Sequence, residues 1–348
     1  MTEVIVSASK EYKVLIERGS LTKAGSVVRE SCGGGRAMLV CGDTVRELYA
    51  DGVKKSLEDA GYEAEVFSYP HGERSKNTET YVRLLNAMAG FRMSRADAVV
   101  ALGGGVTGDL AGFAAATYMR GIKYVQIPTT LLAMIDSSVG GKTGIDLAEG
   151  KNLAGAFWQP SAVLCDPAAL DTLPEYIFRD GCAEAVKYAV LAAPELLELL
   201  RAPRDNIEKI IETCVSIKRD FVCRDEFDTG QRQKLNLGHT VGHAVEKLSD
   251  FSVSHGRAVA AGLAVISRAA AANGDCGADT AEKIVSALEA LGLPTGTDYS
   301  ASALCRAMLS DKKRLGGTVN LIVPRELGRC DIAPTKVDAL EAYIEKGL

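Results

Sequence analysis

The chain has 348 residues, 47% of them hydrophobic and 24% charged, with a formal net charge of -5. That length exceeds one ordinary core and predicts two domains, and the composition is that of a globular protein rather than a disordered or fibrous one. The negative balance, with no basic run longer than "DKKR" (311–314), argues against a nucleic-acid partner, whose phosphates demand a clustered positive face.

The N-terminus "MTEVIVSASKEYK" has no basic segment followed by an apolar one, so no signal peptide is expected. "EVIVSAS" and "YKVLIERG" predict two strands of a hairpin. "AMLVCGD" (37–43) is an apolar run ending in a turn, and a helix is expected through "TVRELYADGVKKSLEDAG". Then follow a strand "YEAEVFSY", a helix "NTETYVRLLNAMAG", a strand "ADAVVALGGG", a helix "DLAGFAAATYM" and a strand "KYVQIPTT". Strand–helix alternation of this length implies a parallel sheet covered on both faces.

The pattern changes at "CDPAALDTLPEY", where prolines and turn formers interrupt it. Beyond it, apolar spacings of three and four predict helices near 181–200, 204–223, 230–249 and 256–273. A late strand "TVNLIVP" precedes a final helix. The fold class expected is α/β followed by α: a Rossmann-like α/β domain over 1–170 and a mostly helical domain over 171–348. No stretch approaches about 20 uncharged apolar residues, so no membrane span is expected. The nine cysteines are scattered without a C-x-x-C pair, which predicts reduced thiols in a cytoplasmic protein.

Three segments carry chemistry. "VVALGGGVTGD" places Gly103, Gly105 and Gly108 in G-x-G-x-x-G spacing, after a strand and opening a helix. Such a turn lets backbone approach a pyrophosphate, and the helix N-terminus offers free N–H donors. A tight turn with no ligand has the same spelling. No acid follows about 20 residues on, as a standard dinucleotide site requires, so Asp43 and Glu73, which end earlier strands, are the candidates for the ribose.

Of four histidines, His239, His243 and His255 fall in "LNLGHTVGHAVEKLSDFSVSHGRAV". His239 and His243 lie one helical turn apart, the spacing of a helical metal pair and equally of two neighbouring polar residues. His255 opens the next helix. Glu184 in "GCAEAVKYAV" offers a carboxylate, with Lys187 one turn later in an otherwise apolar helix. His71, alone in a loop, is expected to be solvated. Finally, "TTLLAMIDSSVGGKTGIDLAEGKNLAGAFWQP" (129–160) reads as a glycine-rich loop whose lysines suit a phosphorylated ligand.

Together, "GGGVTGDLAGFAAATYMRG", "QIPTTLLAMIDSSVGGKTGID", "GKNLAGAFWQP", "TLPEY…GCAEAVKYA" and "LNLGHTVGHAVE" resemble the 3-dehydroquinate synthase family of sugar phosphate cyclases, collinearly from about residue 40 to 325. The resemblance implies a homodimeric lyase that uses NAD and zinc or cobalt. It would convert the phosphorylated sugar acid 3-deoxy-D-arabino-heptulosonate 7-phosphate to 3-dehydroquinate and phosphate, in aromatic amino-acid biosynthesis. The implied course is transient oxidation, phosphate elimination, reduction, ring opening and intramolecular aldol closure. Carried over by position, it makes Glu184, His239 and His255 the metal ligands and His243 a base, which replaces the His239–His243 chelate. Arg120, Asp136, Lys142, Asn152, Lys187, Lys218, Asp228, Arg232, Asn236 and Lys313 (or Lys312) would serve the substrate. Asp43, Glu73, Lys76, Gly104, Gly105, Asp109, Thr129, Thr130, Lys151 and Thr172 would hold NAD. Arg232, Asn236 and His239, spaced by four and three, are expected to share one face of a helix, with the Arg232 guanidinium gripping the substrate carboxylate.

The chain departs from the family pattern in "HGRAVA", with Arg257 where glutamate is usual, in "LPEYIF", in Asp228 for a glutamate and in Ala169 for an aromatic. Two rivals share parts of this signature: inosose- or valiolone-type cyclases, and metal-dependent alcohol or glycerol dehydrogenases. The latter need neither "GGKTG" nor "GKN". A non-catalytic NAD-binding regulator would leave these polar groups without use.

Overall fold

The computed structural model describes residues 1–310 and 317–348. The chain divides into two compact units, Met1–Pro174 with Lys218–Phe227, and Glu175–Ile217 with Asp228–Leu348. A single boundary near residue 170 does not express the return of 218–227 to the first unit.

In the first unit the strands are β1 (Thr2–Ser7), β2 (Glu11–Ile16), β3 (Arg36–Gly42), β4 (Glu63–Tyr69), β5 (Ala98–Gly103), β6 (Lys123–Pro128), β7 (Lys142–Leu147), β8 (Gly150–Phe157) and β9 (Ala162–Cys165). Seven form one sheet in the order β1-β2-β9-β6-β5-β3-β4. Only β1 and β2 pair antiparallel; their neighbours in the sheet run parallel. The helices α1 (Ala24–Cys32), α2 (Asp51–Asp59), α3 (Thr78–Gly90) and α4 (Gly105–Thr117) cover it.

Side-chain alternation divides the core. Leu39, Val100 and Val125 pack with Val28, Val53 and Leu57 on one face. Met38, Val40 and Val99 pack with Leu84 and Leu110 on the other. Each fully buried aliphatic side chain contributes about 1.5–3 kcal/mol. The near-continuous apolar spelling of β3 and β5 follows from burial on both faces.

Two first-unit expectations change. The segment read as a loop holds a two-stranded antiparallel ribbon, β7 against β8. The ribbon closes tightly because glycine faces backbone: a Cβ on Gly155 would lie 2.2 Å from the Thr143 carbonyl oxygen. Helix α4 begins at Gly105 rather than Asp109, so the glycine turn itself opens the helix.

The second unit contains α5 (Glu175–Leu191), the start of α6 (Ile207–Arg224), α7 (His239–Leu248), α8 (His255–Ala272), α9 (Ala278–Ala290), α10 (Ala301–Ser310) and α11 (Val337–Glu345). A ribbon of β10 (Thr318–Glu326) and β11 (Arg329–Lys336) joins them. The helix expected over 230–249 is two pieces: a short 3-10 turn Gln231–Asn236, then α7 from His239. Gly238 breaks it with φ 78°, a left-handed conformation that glycine takes without steric cost. Arg232, Asn236 and His239 therefore do not form one α-helical stripe. Among the described residues, no helix is long and apolar enough to cross a membrane.

Candidate nucleotide and metal sites

In the first unit, the expected nucleotide residues gather at the C-terminal ends of the parallel strands, where open α/β sheets bind ligands. Asp43 follows β3, Glu73 and Lys76 follow β4, and Gly104 and Gly105 follow β5; Thr129 follows β6 and ties back through its N–H to the Gly103 carbonyl at 3.0 Å. A Cβ on Gly104 would lie 3.1 Å from Thr130, and one on Gly105 would lie 3.1 Å from Ser137. A side chain there would crowd these neighbours, and glycine leaves the start of a 13-residue helix as bare backbone. A dinucleotide pyrophosphate fits that cradle.

Lys76 anchors an ionic cluster beside this turn. Its buried ammonium lies 2.9 Å from Glu73, 3.2 Å from Asp109 and 3.8 Å from Asp146, while Lys151 lies 3.9 Å from Glu73. Burial pushes the Asp109 carboxyl up to about 6, against the pull of Lys76. Burial also works on Glu73, but Lys76 and Lys151 outweigh it and hold that carboxyl low.

Asp43 accepts from the backbone N–H of Thr44 at 2.8 Å and of His71 at 3.0 Å, and meets His71 Nδ1 at 2.9 Å. That ring contact is the main cause holding Asp43 below the usual carboxylate range. His71 is solvated, as expected, yet it has this partner. Thr172 is bonded to the Tyr49 hydroxyl.

The residues expected to serve the substrate are only partly brought together. Lys218 donates to both the carbonyl, at 2.6 Å, and the carboxylate of Asp136. Lys142 starts β7, and Asn152 lies on β8, its N–H donating to Asp146 at 2.8 Å. Arg120 is exposed, at the end of a 3-10 turn. Arg120, Asn152 and Asp228 hold φ at 67°, 56° and 59°, left-handed values that cost non-glycine residues energy and concentrate at functional sites. Lys312 and Lys313 lie outside the described residues.

In the second unit the histidines converge, and glycines let their helices meet. A Cβ on Gly256 would lie 2.2 Å from the Asp180 carbonyl oxygen, and one on Gly262 would lie 2.1 Å from that of Gly238. Helix α8 therefore packs backbone to backbone on α5 and on the α7 start. Glu184, on α5, presents Oε1 to His239 Nε2 at 3.3 Å and to His255 Nε2 at 3.2 Å. Its Oε2 lies 2.6 Å from Lys187 Nζ, both side chains being 1% exposed.

His239 Nδ1 faces the Leu237 carbonyl at 3.1 Å; a carbonyl only accepts, so Nδ1 is the donor there and Nε2 is the nitrogen turned toward Glu184. His243 is 59% exposed, with its ring centroid 5.4 Å from that of His239 and 6.0 Å from that of His255. Arg232, at 2% exposure, is among the largest buried side chains.

These groups suit a divalent cation. Donor atoms of Glu184, His239 and His255 lie within 4.8 Å of one another, a two-nitrogen, one-oxygen set that leaves room for a ligand. Burial opposes a proton on His255, but Glu184 and Glu246 outweigh it and push the ring up to about 10. The field that favours a proton there favours a metal equally.

Sequence reasoning missed Asp146, Glu246 and the role of His71 beside Asp43. Glu246 was detectable: it lies seven residues after His239 on α7, a buried carboxylate at an apolar position. Asp146 and His71 act only through contacts made by folding.

Two family models match, 3-dehydroquinate synthase N-terminal over residues 66–180 and 3-dehydroquinate synthase C-terminal over 181–314. The 3-dehydroquinate synthase of Streptococcus mutans serotype c is 42% identical over 348 residues, covering 97% of this chain and 98% of that protein. A solved 2-epi-5-epi-valiolone synthase from Streptomyces hygroscopicus subsp. jinggangensis, with NAD+ and Zn2+ bound, is 28% identical, with a TM-score of 0.87 over 98% of this chain and 97% of that one. A 2-deoxy-scyllo-inosose synthase structure is 22% identical, with a TM-score of 0.89 over 100% of both chains, and shares the fold.

Proposed function

The chain belongs to the 3-dehydroquinate synthase family, and on that premise we propose that it converts 3-deoxy-D-arabino-heptulosonate 7-phosphate to 3-dehydroquinate and phosphate, as an NAD- and divalent-metal-dependent carbon–oxygen lyase. The observation that carries the reading is the convergence of Glu184, His239 and His255 beside an exposed His243, within a chain 42% identical to a curated enzyme of that name. We assign NAD and the phosphate-binding residues to the α/β part, 1–170, and the metal and the carboxylate-binding Arg232 to the helical part, 171–348.

When bound, the cation would supply Lewis acidity toward the substrate's oxygens, and NAD a hydride acceptor that is restored each turnover. Glu184 and the Nε2 atoms of His239 and His255 would hold the cation, and Lys187 keeps Glu184 Oε2 turned away from the shared edge. His243, exposed and close to both other rings, would take a proton at Nε2 during phosphate elimination. Arg120, Lys142 and Asn152 would bind the phosphate, and the buried guanidinium of Arg232 the carboxylate. The start of α4 would hold the pyrophosphate, with Asp43, Glu73 and Lys76 toward the ribose side.

The dehydrogenase alternative is not favoured, since curated synthases match nearly the whole chain. A cytoplasmic homodimer completes the proposal, and the nine free cysteines, most of them buried, suit a reducing compartment. The test supplies the seven-carbon phosphate with NAD and Zn2+ and follows phosphate release and absorbance. Phosphate should be released with no net accumulation of NADH; NADH formed in step with substrate consumed would overturn the reading.

A further inference from the structure

The metal triad uses one nitrogen of each histidine. The other nitrogen of His255, Nδ1, lies 3.4 Å from Glu246 Oε2, and His243 Nε2 lies 4.0 Å from that same oxygen. Donor atoms of His243, Glu246 and His255 also fall within 4.8 Å of one another. Two arrangements are open to this second cluster: a second cation, or an acceptor that orients His255.

The chemistry of imidazole decides between them. A neutral ring has one lone pair and one N–H, so a ring that ligates through Nε2 carries its proton on Nδ1. Ligation through both nitrogens would need the imidazolate, formed only when two cations polarise one ring. His255 Nε2 already faces Glu184 Oε1 at 3.2 Å, and a carboxylate 3.4 Å from Nδ1 is an acceptor for the remaining proton.

We propose that Glu246 is a positioning residue: it accepts the Nδ1–H of His255, fixes that ring with Nε2 toward Glu184 and His239, and leaves a centre for one divalent cation rather than two. The proposal rests on the reading of Glu184, His239 and His255 as the metal triad.

Glu246 is itself well held. Its side chain is 6% exposed, and its carbonyl accepts from Phe251 N–H at 2.8 Å and from the Ser249 hydroxyl at 2.9 Å, which closes the end of α7. The two ligating histidines are thereby oriented differently. His239 leans on a neutral carbonyl, that of Leu237, and His255 on a carboxylate. A carboxylate acceptor makes an imidazole the stronger donor to a metal, and losing such a partner typically costs about 10–100-fold in metal affinity.

The test loads wild type, Glu246→Gln, Glu246→Ala and His255→Ala with Co2+ under chelator competition, recording stoichiometry, affinity and the Co2+ visible absorption spectrum. Wild type should bind one Co2+ per chain. Glu246→Gln keeps a neutral acceptor and should bind about 10-fold more weakly, and Glu246→Ala about 100-fold, each with an altered spectrum. A general packing role for Glu246 would instead lower the melting point and leave the spectrum of bound Co2+ unchanged, which separates it from ring orientation. Two Co2+ per wild-type chain, one of them lost in Glu246→Gln, would overturn the proposal. So would unchanged affinity and spectrum in both Glu246 variants. Failure of wild type to bind Co2+, or retention by His255→Ala, would instead overturn the triad reading beneath it.

Discussion

Replacing Gly256 by alanine tests whether helix packing sets the metal site. The added Cβ would lie 2.2 Å from the carbonyl oxygen and 2.4 Å from Cα of Asp180, where carbon contacts are favourable only near about 3.5–4.0 Å. Both obstacles are backbone, so no rotamer relieves them, and α8 must withdraw from α5 by more than about 1 Å. Overpacking of this kind costs about 1–3 kcal/mol, with backbone on both sides placing it at the upper end. For a unit of this size that corresponds to a melting point lower by about 6–12 °C. His255 precedes Gly256, and Glu184 lies one turn beyond Asp180, so the same displacement opens the 3.2 Å approach of His255 to Glu184. Gly52→Ala is the control: its Cβ would meet nothing within 4 Å, so the substitution should stabilise by about 0.5–1 kcal/mol. Thermal unfolding with and without chelator, together with metal content, reads both effects. If Gly256→Ala melts with wild type and binds metal equally well, the close approach of α5 and α8 does not govern the site.

Alanine variants of Glu184, His239 and His255 should each lose metal, whereas His243→Ala should keep metal and lose rate; elemental analysis decides, and equal loss in His243→Ala would restore the His239–His243 chelate. Arg232→Gln should lower kcat/KM for the seven-carbon acid by roughly 10–150-fold, the worth of a charge-assisted contact of about 1.5–3 kcal/mol. Because Arg232 is buried, the melting point and metal content must be measured alongside. If wild type also cyclises sedoheptulose 7-phosphate and the variant leaves the acid unaffected, the carboxylate role is wrong. Metal affinity should rise with pH. The proton on His255, raised to about 10, stabilises the metal-free fold below about pH 6.5, and this contribution is lost as pH rises through 10. A cation must displace that proton, so affinity should gain about tenfold per pH unit across the window, and a flat profile by chelator competition refutes the raised value.

The parallel strands were legible because strands buried on both faces are spelled almost wholly apolar, as in "AMLVCG" and "AVVALG". The β7–β8 ribbon was not, because β7 buries consecutive residues, β8 buries none, and the pair closes through Gly144 and Gly155, leaving no shared alternation to read. The stretch 231–249 shows how periodicity overreaches. Apolar spacing runs straight through a 3-10 turn, and only the left-handed Gly238 marks where the α-helix begins. Spacing alone paired His239 with His243, since local rules see one helix at a time. The partner the fold supplies is His255, from the next helix, and Glu184, from α5. Family resemblance pointed to that set; the glycine contacts at 256 and 262 explain it.

Each unit handles buried charge in its own way. Burying an ion pair often gains little over apolar packing, so stability alone does not explain either cluster. Beside the glycine turn, the Lys76 ammonium sits among Glu73, Asp109 and Asp146, and burial raises the Asp109 carboxyl to about 6 against the pull of Lys76. That cluster is offset by its own lysine, and its carboxylates would accept from sugar hydroxyls. Around His255 the field of Glu184 and Glu246 draws positive charge onto an imidazole instead, holding its proton far above the usual histidine range. An imidazole proton is replaceable by a metal at the same lone pair, whereas a lysine proton in this cluster is not. On this reading the helical unit would take the cation, and Glu246 would set which nitrogen of His255 receives it.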